Sequence, residues 1–252
     1  MRLSCEQIQA ALPDVRVEVF PELDSTNAEA KRRLKNGLCE PLLLVAEHQT
    51  AGRGRQGRSF YSPDGTGIYM TLVVHPNAPL TDAVSVTTRA SVAVCRAIRR
   101  LTGLNAEIKW VNDLYYNGKK ICGILVEAVS DFAESLTKSL VIGVGVNVTT
   151  QDFPKELPEA ASLGTAVNRS RLTAAIAEEL LRETADLHDK SYLSDYRAWS
   201  LVLGKKIVWT MDGVKREALA VEIDGEGGLV IREEDGTVRT LRSGEISVRL
   251  NP

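Results

Sequence analysis

The chain has 252 residues, 44% of them hydrophobic and 5% aromatic, and its 31 basic side chains nearly balance 33 acidic ones for a formal charge of -2. That length holds one large domain plus a small one, and the balanced charge argues against bulk attraction to nucleic acid or an anionic membrane. Cys5, Cys39, Cys95 and Cys122 show no C-x-x-C spacing, His48, His75 and His188 are dispersed, and no apolar run approaches a membrane span or a signal h-region. We therefore expect a reduced, cytoplasmic protein without a metal or disulfide framework.

Residues 4–12 suit a short helix, after which Val15, Val17 and Val19 alternate with Arg16 and Glu18 as in a half-buried strand. The short stretch before Asp24-Ser25-Thr26-Asn27-Ala28-Glu29 leaves no room for an appended DNA-binding domain, and none is expected. Within that motif Thr26 and Glu29 have the spacing of a capping box opening a helix that runs to Asn36-Gly37. Ser25, Thr26 and Asn27 are read either as caps or as hydroxyls and amides offered to a small polar ligand.

Leu42–Glu47 is a continuous apolar run ending in Glu47-His48-Gln49, as in a buried strand. It leads into Gly52-Arg53-Gly54-Arg55-Gln56-Gly57-Arg58, three cations on a backbone nearly free of side-chain bulk. Arginine matches phosphate or carboxylate oxygens with a planar fork, so this loop reads as a lid that grips an anion. It also spells G-x-G-x-x-G, but the turn-rich Ser59–Gly65 that follows is not the helix a dinucleotide fingerprint requires.

Ile68–Val74 reads as a strand. Between Thr81 and Gly103, Ala83, Thr87, Ala90, Val94, Ile98 and Leu101 mark one stripe of a long helix with a glycine stop. In Glu107–Glu127, Asn117-Gly118 between two apolar runs predicts a hairpin, with Lys120 just past its turn. Asn112-Asp113 is either a turn dipeptide or a source of Mg²⁺ or ribose ligands, and Trp110 either stacks near a nucleotide or fills core. Leu140–Val148 is a further strand, with Gly143 and Gly145 on one face, where a ligand or backbone comes close or a helix packs tightly. Leu172, Ile176, Leu180 and Leu187 place a helix over residues 171–189. From about residue 201, five short strands separated by Asp212-Gly213, Asp224-Gly225 and Asp235-Gly236 read as a small barrel. The expected division is 1–198 for a catalytic unit and 199–252 for the barrel.

Taken together, Asp24–Asn27, Gln49 with Gly52–Arg58, Lys109–Glu127, Gly143–Asn147 and Gly244–Arg249 make the sequence resemble the biotin protein ligases, in the family's order along nearly the whole chain. The resemblance is to members without the N-terminal DNA-binding domain. It departs at Val111, where the family often has proline after Lys-Trp. It implies an α+β fold, a mixed sheet with helices similar to class II aminoacyl-tRNA synthetases followed by an SH3-like barrel. It also implies activation of biotin with ATP to biotinyl-5'-AMP, with Mg²⁺, and transfer to a lysine of a biotin carboxyl carrier protein.

By the same resemblance, Ser25, Thr26, Asn27, Gln49, Gly52, Arg53, Gly54, Arg55, Lys120 and Gly123 bind biotin. Arg53, Arg55, Arg58, Asn112, Asp113, Lys120, Asn147 and Arg249 bind ATP. Lys120 and Arg55 are the catalytic pair, with Lys120 against both the biotin carboxylate and the α-phosphate. The rivals are a lipoate ligase, which uses similar adenylation chemistry, and a nucleic-acid-binding module, which the acidic balance and few aromatics disfavour. Oligomeric state is left open, a homodimer included.

Overall fold

The computed structural model describes residues 2–76, 78–79, 85–131, 136–211, 214–242 and 246–248. At its centre is an eight-stranded sheet: β1 (Arg16–Leu23), β2 (Leu42–Gln49), β3 (Gly67–Val74), β4 (Ala78–Pro79), β5 (Glu107–Lys109), β6 (Asp113–Tyr116), β7 (Lys119–Asp131) and β8 (Leu136–Asn147). Its order is β1-β2-β3-β8-β7-β6-β5, with β4 on β8. β1 and β2 are parallel and the other pairs antiparallel. A parallel pair needs a crossover, and helix α2 (Thr26–Lys35) supplies it.

The apolar run of β2 follows from burial on both faces. Leu43 and Val45 join the main core, while Leu42 and Leu44 pack with Ala30 of α2, Val73 and Val141 on the other side. Side chains alternate along a strand, so only an unbroken apolar sequence fills two such layers. The main core is closed by α1 (Cys5–Ala11), α3 (Val86–Thr102), α4 (Arg169–Ala185) and α5 (Tyr192–Ala198).

Two expectations are corrected here, and a third falls outside the described residues. Ser25, not Thr26, is the N-cap of α2, its hydroxyl accepting from the Ala28 N–H at 3.4 Å, while Glu29 turns to Arg32 and Arg33. The first turns expected for α3, with Ala83, lie outside the described residues; its glycine stop is Gly103 at φ 71°. α4 ends at Ala185, and the buried Leu187 belongs to the turn beyond. That end is capped by the fully buried Arg89, whose guanidinium donates to the carbonyls of Glu183, Asp186, Leu187 and Asp189. The Glu183 and Asp186 carbonyls have no helical partner where the helix stops, and the arginine's fork of donors serves them together with the Leu187 and Asp189 carbonyls of the turn beyond.

The C-terminal strands form a separate antiparallel sheet of SH3-like type: β9 (Lys206–Met211), β10 (Val214–Ile223), β11 (Leu229–Glu233), β12 (Val238–Leu241) and β13 (Ile246–Val248), ordered β12-β11-β10-β9-β13. The Asp212-Gly213 turn lies outside the described residues. Ile207, Ala220, Leu229 and Ile231 continue the main core rather than forming their own. The seam is also hydrogen-bonded, with Ile108 bridged to Ser200 and the Trp110 indole donating to the Gly227 carbonyl at 3.1 Å. Among the described residues, no helix is long and apolar enough to cross a membrane.

Candidate active site

Because Ser25 takes the capping role, the next two side chains are free to face inward. Ser25, Thr26 and Asn27 are 2%, 3% and 4% exposed, so their polar atoms have to find partners within the protein. Gln49 Oε1 accepts from the Thr26 amide at 2.8 Å and its hydroxyl at 3.1 Å, and Gln49 Nε2 donates to Ser62 Oγ at 3.0 Å. The Thr71 hydroxyl lies 2.7 Å from both Thr26 Oγ1 and Asn27 Oδ1, donating to one at a time. Asn27 Nδ2 donates to Glu127 Oε2 at 2.9 Å, and Lys31 Nζ pairs with Glu127 Oε1 at 2.7 Å. Burial raises the Glu127 carboxyl's pKa, but the hydrogen bonds from Lys31 and Asn27 outweigh it and hold the group below its ordinary value. The result is a rigid surface of neutral donors and acceptors, suited to a small uncharged polar ring system.

Gly143 exists for this surface. A Cβ there would stand 2.1 Å from Asn27 Oδ1. Gly143→Ala is therefore expected to push Asn27 off Thr71 and Glu127 and to cost about 1–3 kcal/mol of stability by overpacking. The urea midpoint measures this, and an unchanged midpoint would mean that Asn27 yields without cost. Gly145, two residues on, makes room instead for the Phe60 ring, 2.4 Å from its would-be Cβ. Both glycines thus accommodate side chains, Asn27 from a helix end and Phe60 from a loop.

The arginine loop folds back on itself. Arg53 bridges Ser59, the Gly54 N–H donates to the Arg58 carbonyl at 2.7 Å, and the Phe60 N–H donates to Gly52 at 2.9 Å. A single 3₁₀ turn, Arg55–Gly57, sits at its tip, so no helix follows the glycines. Phe60 anchors the loop's base edge-on to Tyr69, with ring centroids 6.4 Å apart. Arg55 Nη1 donates to Asn112 Oδ1 at 2.9 Å, which carries the loop across the pocket to the β5–β6 corner.

Lys120 comes from the other wall. Asn117 and Gly118, at φ 49° and 72°, turn β6 into β7 with the two positive dihedrals of a type I′ hairpin. The strand then points Lys120 Nζ at Asp113 Oδ1, 2.8 Å away. Asn112 Nδ2 donates to Asp113 Oδ1 at 3.2 Å and to the Ile124 carbonyl at 2.8 Å. The corner itself carries a cis Trp110–Val111 peptide.

These elements enclose a cavity of about 440 Å³. Ser25, Thr26, Asn27, Gln49, Arg53, Gly54, Arg55, Arg58, Asn112, Asp113, Lys120 and Gly123 all stand on its wall. Gly52 does not; it packs behind, where a Cβ would meet the Phe60 carbonyl at 2.5 Å and Ser62 Oγ at 2.7 Å. Asn147 is also off the wall, buried, with Nδ2 donating to the Ala161 carbonyl at 3.0 Å and Oδ1 unpartnered among the described residues. Arg249 lies outside the described residues. Trp110 is 4% exposed and fills core while its edge reaches the wall.

Sequence reasoning missed Phe60, Lys109, Tyr115 and the segment Glu156–Ala160, all on the wall. Lys109 and Tyr115 stood within a quoted stretch, but residues 149–163 carry no period or motif to announce a wall. The cavity places five cations, Arg53, Arg55, Arg58, Lys109 and Lys120, against three carboxylates, Asp113, Glu156 and Glu159. One end is neutral and hydrogen-bonding, the other cationic, which suits an uncharged ring carrying a carboxylate beside a polyanion.

Residues 19–147 match the model of the biotin/lipoate A/B protein ligase family, and residues 202–249 match the biotin protein ligase C-terminal domain. The chain is 33% identical to the bifunctional ligase/repressor BirA of Bacillus subtilis, covering 90% of this chain and 72% of that protein. It is 31% identical to the biotin–(acetyl-CoA-carboxylase) ligase of Mycobacterium tuberculosis, covering 86% and 83%. This chain belongs to the biotin protein ligase family. The biotin protein ligase of Aquifex aeolicus, solved in complex with biotin and ATP, superposes with a TM-score of 0.73 at 28% identity over 93% of this chain and 98% of that one. The mixed sheet and the C-terminal SH3-like sheet are therefore the biotin protein ligase fold.

Proposed function

We propose that the chain is a biotin protein ligase in activity as in fold: it activates biotin with ATP to biotinyl-5'-AMP and transfers the biotin to a lysine of a biotin carboxyl carrier protein. The observation that carries this is the two-ended cavity, with the Thr26–Asn27–Gln49 surface at one end and Arg53, Arg55, Arg58 and Lys120 at the other. In the first step a biotin carboxylate oxygen attacks the α-phosphorus and pyrophosphate leaves. In the second the lysine amine attacks the acyl carbonyl and AMP leaves with the bonding electron pair. Neither step needs a covalent enzyme intermediate, so positioning and charge stabilisation dominate.

In this reading Ser25, Thr26, Asn27 and Gln49 hold the ureido end of biotin. Arg53, Arg55 and Arg58 take the phosphates, and Lys120 bridges carboxylate and α-phosphate. Residues 1–198 are the catalytic unit and 199–252 the barrel, joined through the Ile108–Ser200 seam.

Mg²⁺ on nucleotide phosphates takes only one or two protein oxygens. Among the described residues no cluster of three acidic, histidine or cysteine ligands exists, while Asp113 places one carboxylate on the wall. That fits a metal held mainly by the phosphates, with Asp113 as its protein ligand, and the metal would neutralise phosphate charge there.

The test is incubation with labelled biotin, ATP, Mg²⁺ and a biotin carboxyl carrier domain. Label on the carrier lysine is expected, and label after lipoate but not biotin would overturn the reading. A second expectation concerns the lid. The acyl-adenylate is a mixed anhydride open to water, so residues 52–61 should gain protection from proteolysis with biotin plus ATP. Equal cleavage with and without both ligands would count against a shielding loop.

A further inference from the structure

Among the polar side chains on the cavity wall that have no part in that reading are Lys109, Tyr115 and Glu159. They form a chain, with Lys109 Nζ 3.2 Å from Tyr115 Oη and Tyr115 Oη 2.9 Å from Glu159 Oε2. An ammonium only donates, so the phenol oxygen accepts from Lys109 and its single proton is directed at the Glu159 carboxylate. Lys109 Nζ also stands 5.1 Å over the Tyr115 ring, a second attraction that holds the pair together. Burial first, and the Glu159 charge second, push the Tyr115 phenol far above its ordinary pKa, so the hydroxyl remains a donor at physiological pH.

The backbone supplies the second half. The Glu159 carbonyl accepts from the Lys120 N–H at 2.7 Å, and the Lys120 carbonyl accepts from the Ala161 N–H at 2.8 Å, forming a parallel bridge between Lys120 and Ala160. Tyr115 is itself the cross-strand partner of Lys120 in the β6–β7 ladder. Three contacts therefore close a ring around Lys120: Tyr115 beside it, the Tyr115 hydroxyl on the Glu159 side chain, and the Glu159 carbonyl on the Lys120 amide. The ladder shifts register between Leu114 and Tyr115, so hairpin pairing is interrupted just where Lys120 needs a fixed place. The clasp from Glu159 restores a second anchor.

We propose that Tyr115 and Glu159 are positioning residues for adenylation, holding the main chain of Lys120 so that its ammonium meets both anions at once. This rests on the reading of Lys120 as the bridging cation. Neither side chain needs to touch the reacting atoms, and their effect should fall on kcat rather than on substrate affinity.

The experiment measures kcat and KM for biotin and for ATP in biotin-dependent ATP–pyrophosphate exchange, with Lys120→Ala run beside the clasp variants. Tyr115→Phe and Glu159→Ala are each expected to lower kcat about tenfold with KM values unchanged, the scale of a small misplacement of a reacting group. Because both remove the same contact, the double variant should be no slower than either single one. Glu159→Gln keeps an acceptor for the phenol and should run near the wild-type rate, which a merely structural loss of loop charge would not produce. If Lys120→Ala is inactive while Tyr115→Phe keeps full kcat, the clasp is refuted and the role of Lys120 stands. Additive losses in the double variant would refute it equally. Wild-type exchange by Lys120→Ala would refute the role of Lys120 and the clasp together.

Discussion

Replacing Lys120 by alanine is expected to cut biotin-dependent ATP–pyrophosphate exchange by on the order of 100-fold or more, as the loss of a preorganised charge contact does. The argument begins with electrostatics. Bringing a carboxylate against a nucleotide's α-phosphate sets two anions within bonding distance, which a low-dielectric pocket makes costly unless a cation lies between them. Arg53, Arg55 and Arg58 belong to a loop, whereas Lys120 stands on a strand and is held on three sides by Asp113, Glu159 and Ala161. A compact ammonium can bridge two anions from one point, and a rigid strand keeps it there without reorganisation at the moment of reaction. Lys120→Arg is expected to recover little, because the longer planar fork cannot occupy the same point beside Asp113. Exchange at the wild-type rate in Lys120→Ala would remove this lysine from the chemistry.

Much of this geometry was legible in the sequence, for reasons that differ from place to place. The Asn117-Gly118 hairpin was readable because two successive positive φ angles admit few residue types. β2 was readable because burial on both faces demands an unbroken apolar run. The cap of α2 was misplaced by one residue, since the Thr26/Glu29 spacing fits a capping box as well as Ser25 fits a lone cap. Tertiary demand decides between them: Gln49 and Thr71, distant in sequence, claim Thr26. The Glu156–Ala160 wall was illegible because its placement rests on main-chain bonds to Lys120 and one phenol contact, and backbone partners leave no trace in residue type. Gly143 and Gly145 signalled close approach, yet what approaches, Asn27 and Phe60, comes from 116 and 85 positions earlier in the chain, beyond any local pattern.

The largest stability effect is expected at the salt bridge beneath the site. Glu47 lies on β2 two residues before Gln49, and its side chain is 4% exposed; Arg169, the first residue of α4, is 8% exposed, with Nη1 2.7 Å from Glu47 Oε2. The Leu3 amide donates to Glu47 Oε1, and Arg169 Nη1 donates to the Gly67 carbonyl at 2.9 Å. The pair therefore ties the N-terminal segment, β2, the start of β3 and α4 at one point. Removing only the arginine leaves a buried carboxylate without its charge partner, and Arg169→Met is expected to cost about 3–5 kcal/mol, read from the urea unfolding midpoint. The pair's own net worth is much smaller, since two charges had to leave water to form it. Adding Glu47→Leu to Arg169→Met should thus return most of the lost stability rather than deepen the loss. A double variant as unstable as the sum of its parts would show that the two side chains act through their separate hydrogen bonds, and that their mutual charge contributes nothing.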